Sequence, residues 1–255
     1  MKTFDPTRMK LLAMVLVTIC SGNTNLQAQT FQKNLKSFDK IVISPRINVE
    51  LIKSDREFVE IKTNGIEAEK VEVRVNGNTL HMYLPGSKIN DKTYTVREYG
   101  WKRRLKVYEG VTVDATIYFK ELSRIEVRGN QEISCNDLLN TDKFTIKQYG
   151  ESRMTLSELK CEKLKVSLYG ENTLKISAGE STEQIVKLFG DNFMDTGGLN
   201  SQYVKANSYG ESEARIQSQA IVRVSSLGES KLYISGKAHI EKGLIIGENR
   251  IRRVY

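Results

Sequence analysis

"QYGESR", residues 148–153, decides the fold because it keeps returning. "LYGENT" stands at 168, "LFGDNF" at 188, "SYGESE" at 208, "SLGESK" at 226 and "IIGENR" at 245, and a worn copy, "VRGNQE", begins at 127. The marker glycines are Gly129, Gly150, Gly170, Gly190, Gly210, Gly228 and Gly247, with spacings of 21, 20, 20, 20, 18 and 19 residues. A period near twenty over seven copies signals a solenoid, in which each unit buries its apolar face only against its neighbours.

The residues around each glycine say which solenoid this is. Four before it stand Ile125, Ile146, Val166, Val186, Ala206, Val224 and Gly243. Four after it stand Ile133, Met154, Leu174, Met194, Ala214, Leu232 and Ile251, and six after it Cys135, Leu156, Ile176, Thr196, Ile216, Ile234 and Arg253. Apolar residues at even offsets on both sides mean period-two alternation, hence strands with one buried face. Each repeat therefore reads strand, glycine turn, strand. The predicted fold is all-β: a right-handed, single-stranded β-helix-like solenoid with coils of about twenty residues, stacked in parallel at ~4.8 Å. Gly243 and Arg253 break the pattern in the last copy, as a terminal cap facing water does. Glycine permits a positive φ at a tight corner. The acid or amide and the Ser, Asn or Gln that follow it can hydrogen-bond along the stack and to the corner backbone.

Residues 31–128 are strand-rich but less regular. "VEVRVNGNTLHMYL", 71–84, is a hairpin joined around Asn76-Gly77. Residues 85–113 interrupt the strands, and part of this stretch reads as an exposed loop or flap. No amphipathic helix is visible. The predicted organisation is a signal peptide over 1–28 and one β-helix domain over 29–255, with an irregular part at 31–128 and regular coils at 129–255.

The leader is read from Lys2, Arg8 and Lys10, then the apolar stretch Leu11 to Ile19, then small Ala28 before a cleavage at Gln29. Nine apolar residues are too few to cross a membrane as a helix, and no later run is long enough. Lipid attachment at Cys20 is the rival processing, and bulky Ile19 argues against it. The expected location is outside the cytoplasm: periplasm, outer-membrane surface or cell surface. That leaves little room for nucleic acid as a partner. At 39% hydrophobic and 27% charged the chain is composed to fold. Its net charge of +8 suits solubility, and it also suits acidic glycans or lipid phosphates. After the leader only Cys135 and Cys161 remain, which is no disulfide framework. Both are read as small buried hydrophobes, with their pairing left open.

"FDKIVISPRINVELIKSDREFVEIKTNG" from Phe38, "ELSRIEVRGNQEIS" from Glu121 and the glycine–polar–polar repeats carry a family resemblance. In pattern and order they resemble the auto-transporter adhesin, head GIN domain family, common among exported Bacteroidetes proteins. The resemblance covers about 38–250, and it departs in having "YGE" where "SGS" is usual. It implies a β-helix-like fold, export and an adhesin-like role, and it brings no catalytic residues.

Three constellations could carry chemistry. The first is an acidic row one residue after each glycine: Glu151, Glu171, Asp191 and Glu211, continued by Glu229 and Glu248. Stacked carboxylates repel, by about 1 kcal/mol per pair at ~4 Å in water. Arg153, Arg215 or a cation could offset that, and Asn172, Asn192 and Asn249 stand next door as further oxygen ligands. Calcium is the one cofactor these residues suggest; a solvated row is the plainer reading, and otherwise no cofactor is expected. The second is an aromatic stripe just before the glycines, Tyr149, Tyr169, Phe189 and Tyr209, which parity turns outward. Exposed ring faces beside carboxylates and amides suit a glycan, and the plainer reading is a stack that stiffens the coils. The third is "YGWKRRLK", 99–106, where Trp101 neighbours Arg103 and Arg104 in the interrupting stretch and suits an acidic polymer or lipid headgroups.

Enzyme motifs are missing: no G-x-S-x-G, H-E-x-x-H, P-loop or dinucleotide fingerprint occurs. "SFDK" at 37 and "SELK" at 157 match S-x-x-K without its companion motifs. The sequence reading is thus a non-enzymatic envelope protein that binds a glycan or another surface partner through the outer face of the coils. The alternatives are a self-assembling envelope scaffold, or a polysaccharide lyase or hydrolase on a β-helix. The oligomeric state is open.

Overall fold

The computed structural model describes residues 31–98 and 100–254, so the predicted leader, Cys20 and Tyr99 lie outside the described residues. Fifteen of its strands form one sheet wound into a solenoid, and two form a separate antiparallel ribbon. The only helical turn in the described residues is Ala68–Lys70.

Parallel pairing repeats coil by coil and in step with the glycines. On the strand before the turn, Ile125 pairs with Ile146, Ile146 with Val166, Val166 with Val186 and Val186 with Ala206. After the turn, Ile133 pairs with Met154, Met154 with Leu174 and Leu174 with Met194. A third, shorter stack follows: Leu139, Leu159, Gly179 and Leu199. All of these except Gly179 are buried, and so is Thr196, which keeps its inward place by bonding to the Gln184 amide. Each fully buried Ile or Leu contributes about 1.5–3 kcal/mol of transfer free energy. Toward the C-terminus the inward residues shrink to Ala206, Ser208, Ala214, Ser226 and Ser230, and the repeat shortens there.

The coils begin earlier than the glycine markers do. Ile41 pairs in parallel with Ile125, and Val49 with Ile133, which sets Pro45 where the later coils have glycine. A Cβ on Gly129 would lie 2.9 Å from the Pro45 Cα. One further coil lies beyond: Ile41 also pairs in parallel with Leu80, and Val49 with Ala115. The corner of that coil is the stretch between Leu84 and Val111. The antiparallel strands Glu72–Asn76, Phe58–Asn64 and Phe31–Asn34 close this end. The 72–83 hairpin turns at Gly77-Asn78, with Gly77 at φ +55° and Asn76 paired to Thr79. Glycine first in a two-residue loop is the type II′ arrangement, which matches strand twist.

At the other end, Lys237 to Val254 form the last coil. It pairs on one side only, and Leu244 and Ile246 are exposed. The predicted cap role of Arg253 is visible: its guanidinium donates to the carbonyls of Gly236 and Ala238 at 2.8 and 2.6 Å.

The stretch read as a loop or flap is largely ordered as a ribbon. Thr93–Glu98 and Trp101–Lys106 pair antiparallel. The ribbon interrupts the first coil at its corner, the place where later coils carry their glycine. It therefore rises from the same edge of the solenoid as the repeated turns.

Candidate functional site

Each residue of the repeated turn has a separate task. The glycines sit at φ between +102° and +123° from Gly150 to Gly228, a region L side chains rarely enter. They are also crowded: a Cβ on Gly150 would lie 2.6 Å from the carbonyl oxygen of Gly129. Those carbonyls accept the amide of the acid one coil on, as from Glu151 to Gly129 at 2.9 Å and Glu171 to Gly150 at 2.8 Å.

From Gly129 to Gly228 the residue two after glycine turns inward and is buried. The Asn172 amide nitrogen donates to the Tyr169 carbonyl at 3.0 Å, and its oxygen accepts the Ser152 backbone N–H at 3.1 Å and the Ser152 hydroxyl at 3.0 Å. Asn192 repeats this with Phe189 and Asn172. The expectation that Asn172 and Asn192 supply oxygens to a cation is therefore corrected: their carbonyl oxygens are spent inside the solenoid.

The acids Glu151, Glu171, Asp191, Glu211, Glu229 and Glu248 are all exposed. The bases expected to offset them are engaged elsewhere, Arg153 with Glu132 at 2.8 Å and Arg215 with Glu213 at 3.2 Å. Among the described residues no three carboxylate, thiol or imidazole groups converge as a metal site. The row stands as solvent-exposed carboxylates. A groove of about 520 Å³ runs beside its C-terminal members.

Parity places the aromatic stripe outward as expected, but its faces are not free. Tyr149, Tyr169, Phe189 and Tyr209 stack ring on ring, with centroids 5.0, 4.8 and 4.7 Å apart and planes within 5°. The coil rise of ~4.8 Å is also a stacking distance. The inner faces are covered by neighbouring rings, so the middle of the stripe shows only edges and hydroxyls. This corrects the expectation of a row of ring faces for sugar C–H groups. Tyr149 and Tyr209 end the stack. Burial is the main cause that raises the Tyr149 hydroxyl above the ordinary tyrosine value.

The ribbon splits the third constellation. Alternation puts Trp101, Arg103 and Leu105 on one face with Tyr94 and Val96 opposite, and Lys102, Arg104 and Lys106 on the other with Arg97. Trp101, 81% exposed, and Arg103 thus share a face that Arg104 does not. The ribbon root is held firmly. Arg46, the one non-glycine residue of positive φ among the described residues, forks onto Asp91 at 2.7 and 3.0 Å, with Lys106 3.7 Å from the same carboxylate. Ser44 donates to the Lys88 carbonyl at 2.7 Å, and Tyr108 to that of Pro85 at 2.9 Å.

Between this root and the first glycine corners lies a groove of about 570 Å³. Asp91 and Lys106 line it from the root, and Arg128, Tyr149 and Glu151 from the coils. It joins the end of the aromatic stack, the start of the acidic row and the foot of the basic ribbon. Sequence reasoning missed Arg128 and Asp91, and it held Lys106 only as the last residue of the 99–106 stretch. Arg128 left a signal, since it occupies the stripe position of the worn copy. Its guanidinium pairs with Glu126 at 2.6 Å.

The two described histidines and the two described cysteines do not line this groove. His81 lies in Thr79–Tyr83 near Arg128 and Lys88, where burial chiefly lowers its pKa, and His239 opens the last coil. Cys135 and Cys161 are unpaired and buried, and burial pushes both thiols up to about 11.

The class is set by this arrangement: an all-β solenoid whose corner edge carries the repeated, ordered chemistry. The chain belongs to the family described as "Putative auto-transporter adhesin, head GIN domain", whose model matches residues 37–238. Its fold recurs in a crystal structure of a "putative adhesin" from Bacteroides fragilis (TM-score 0.68, 21% identity) and in one from Parabacteroides merdae (0.65, 17%). It also recurs in a "putative lipid binding protein" from Parabacteroides distasonis (0.57, 13%). Each comparison covers 89% of this chain and 96% of the other. No curated protein matches. The family suggests an adhesin-like role and an exported or surface location. No helix among the described residues is long and apolar enough to cross a membrane.

Proposed function

We propose that this chain is a non-enzymatic binding module of the bacterial envelope, exported and adhesin-like, that holds a glycan at the groove between the ribbon root and the Tyr149 end of the aromatic stack. The observation that carries this is the groove. In it an end ring of the stack meets both signs of charge, and its size falls in the range of small-ligand sites. Tyr149, whose register neighbour on the groove side is Arg128 rather than another ring, supplies the aromatic surface for sugar C–H groups. Arg128 and Lys106 donate to hydroxyl or carboxylate oxygens, and Asp91 and Glu151 accept from hydroxyls. The root is pinned by the Arg46–Asp91 fork, so little ordering is required on binding. Trp101, at the tip of the ribbon and outside the groove lining, is a separate exposed stacking surface.

The test is a glycan array with the purified chain, repeated with Tyr149→Ala and Lys106→Ala. Hits weakened tenfold or more by both variants support the groove. Hits that both variants retain sink it. A second reading has its own observation: the last coil pairs on one side only and exposes Leu244 and Ile246, which suits a scaffold of stacked copies. Light scattering that grows with concentration supports that reading, and a constant monomer mass refutes it.

A further inference from the structure

Beyond the groove, on the outer face of the coils, lies an ordered array of unpaired lysines. Lys147 and Lys187 stand two residues before the stripe, and Lys165 and Lys205 two residues further back. The register fixes their order: Lys147 neighbours Ser167, Ser167 neighbours Lys187, and Lys187 neighbours Asn207. In the adjoining column Thr145 neighbours Lys165, Lys165 neighbours Ile185, and Ile185 neighbours Lys205. Lysine thus alternates between two columns, one per coil through four coils, and recurs in each column at about 9.6 Å, two coil rises.

These eight positions hold four bases and no acid. Other charges on the outer face of the coils do pair from coil to coil: Lys160 with Glu180, Lys163 with Glu183, Arg153 with Glu132 and Arg223 with Glu241. None of the four array lysines is in an ion pair among the described residues. The one acid that adjoins them in register, Glu126, is taken by Arg128. Ion pairs close both ends of the strip, Glu126–Arg128 at one and Arg223–Glu241 at the other. The like charges repel at this spacing, and no neighbouring group relieves them.

The boundaries specify the partner. On one side the strip meets the column Lys143, Lys163, Glu183 and Tyr203, in which Lys163 and Glu183 pair and Lys143 adds a base at one end, and on the other the edges of the aromatic stack. Beyond the stack stands the unpaired acidic row. Those carboxylates stand just across the glycine corner from the lysines and work against a broad anionic surface such as a membrane. A single anionic chain lying along the solenoid axis meets only the lysines and the ring edges.

We infer that this strip binds a linear acidic polysaccharide running parallel to the solenoid axis, its carboxylates or sulfates seated between successive lysines. The repeat of the protein matches a polymer because each coil offers one more cation to the next anionic unit. This site is separate from the groove and does not depend on it.

The probe is sodium polygalacturonate, with neutral dextran and phosphatidylglycerol vesicles alongside, measured by biolayer interferometry at low and at 0.5 M salt. The variant is Lys147→Gln, Lys165→Gln, Lys187→Gln and Lys205→Gln together, four exposed or half-buried positions, checked by circular dichroism. Polygalacturonate binding that is lost in high salt, and that falls on the order of tenfold or more in the variant, is the expected result. Three outcomes overturn the inference: the variant binds as the parent does, dextran binds equally, or vesicles bind while the polymer does not. Binding lost on Arg103→Gln with Arg104→Gln, but not on the lysine variant, also overturns it and moves the polymer to the ribbon. Groove ligands lost on Tyr149→Ala report on the other proposal alone.

Discussion

Asn172→Ala tests the division of labour inside the turn. The Asn172 side chain is 1% exposed and serves both its own corner and the coil before it. Its removal strips the Tyr169 carbonyl of a donor and the Ser152 backbone N–H of its acceptor, at sites closed to water. A buried polar group left unsatisfied costs about 1–3 kcal/mol, so two cost roughly 2–6 kcal/mol, with ~4 as the central value. For a chain of this size each kcal/mol lowers Tm by roughly 2–4 °C, so the expected fall is about 10 °C. Scanning calorimetry, with urea unfolding beside it, reads this directly. The neighbour one position back supplies the control. Glu171 is exposed, its backbone bond to Gly150 survives truncation, and Glu171→Ala is expected within ~0.5 kcal/mol of the parent. Asn172→Ser falls between them, because a serine hydroxyl already accepts the amide of Asn192 from Ser212 at 3.4 Å. A loss below about 1 kcal/mol in Asn172→Ala, or an equal loss in Glu171→Ala, would refute the inward ladder.

Three further predictions follow from the same edge. Tyr169→Ala removes two ring stacks and costs about 1–3 kcal/mol, whereas Tyr149→Ala removes one and costs about half as much; equal melting temperatures for the two variants would contradict the stacked arrangement. Cys135 and Cys161 resist a thiol reagent at pH 8 in the folded chain and react in denaturant. Because both folded thiols sit near 11 against 9.0 unfolded, their contribution to stability is complete below pH 9 and is lost as pH rises to about 11; a chain equally stable at pH 8 and pH 11 would count against this. Millimolar calcium gives no saturating calorimetric isotherm, since Asn172 and Asn192 turn away from the acids; an isotherm abolished by Glu171→Gln with Asp191→Asn would restore the acidic row as a site.

The buried columns were legible in the sequence because the signal is local. Positions four before, four after and six after the glycines are buried through the regular coils, and even Thr196 follows its column rather than its polarity. The first two corners were not legible. Pro45 and Arg46 replace the glycine and its follower, and the Leu84–Val111 corner is swollen by a ribbon. Their places in the stack are fixed by Ile41 with Leu80 and by Val49 with Ala115, pairings no local window contains. At the candidate site, parity gave the direction of the aromatic rings. The stacking of the rings needed the coil rise as well as the period. Arg128, Asp91 and Lys106 reach one groove only because a ribbon is spliced into a corner far upstream in the chain.

Repetition itself sorts these rows into structure and surface. A parallel coil sets each side chain beside its own counterpart at about 4.8 Å. A ring beside a ring is satisfied by stacking, and an asparagine beside an asparagine by hydrogen bonding, so the stripe and the inward ladder consume their own chemistry. A carboxylate beside a carboxylate satisfies nothing, and neither does a lysine array without acids. Those charges stay available to the surroundings. The same holds where repetition stops, at Tyr149 with a ring on one side only and at the ribbon that no other coil copies. Capacity to bind therefore concentrates at the ends of the rows and in the rows of like charge. That is why the groove and the lysine strip, rather than the turn that recurs seven times, are the places to look for what this solenoid holds.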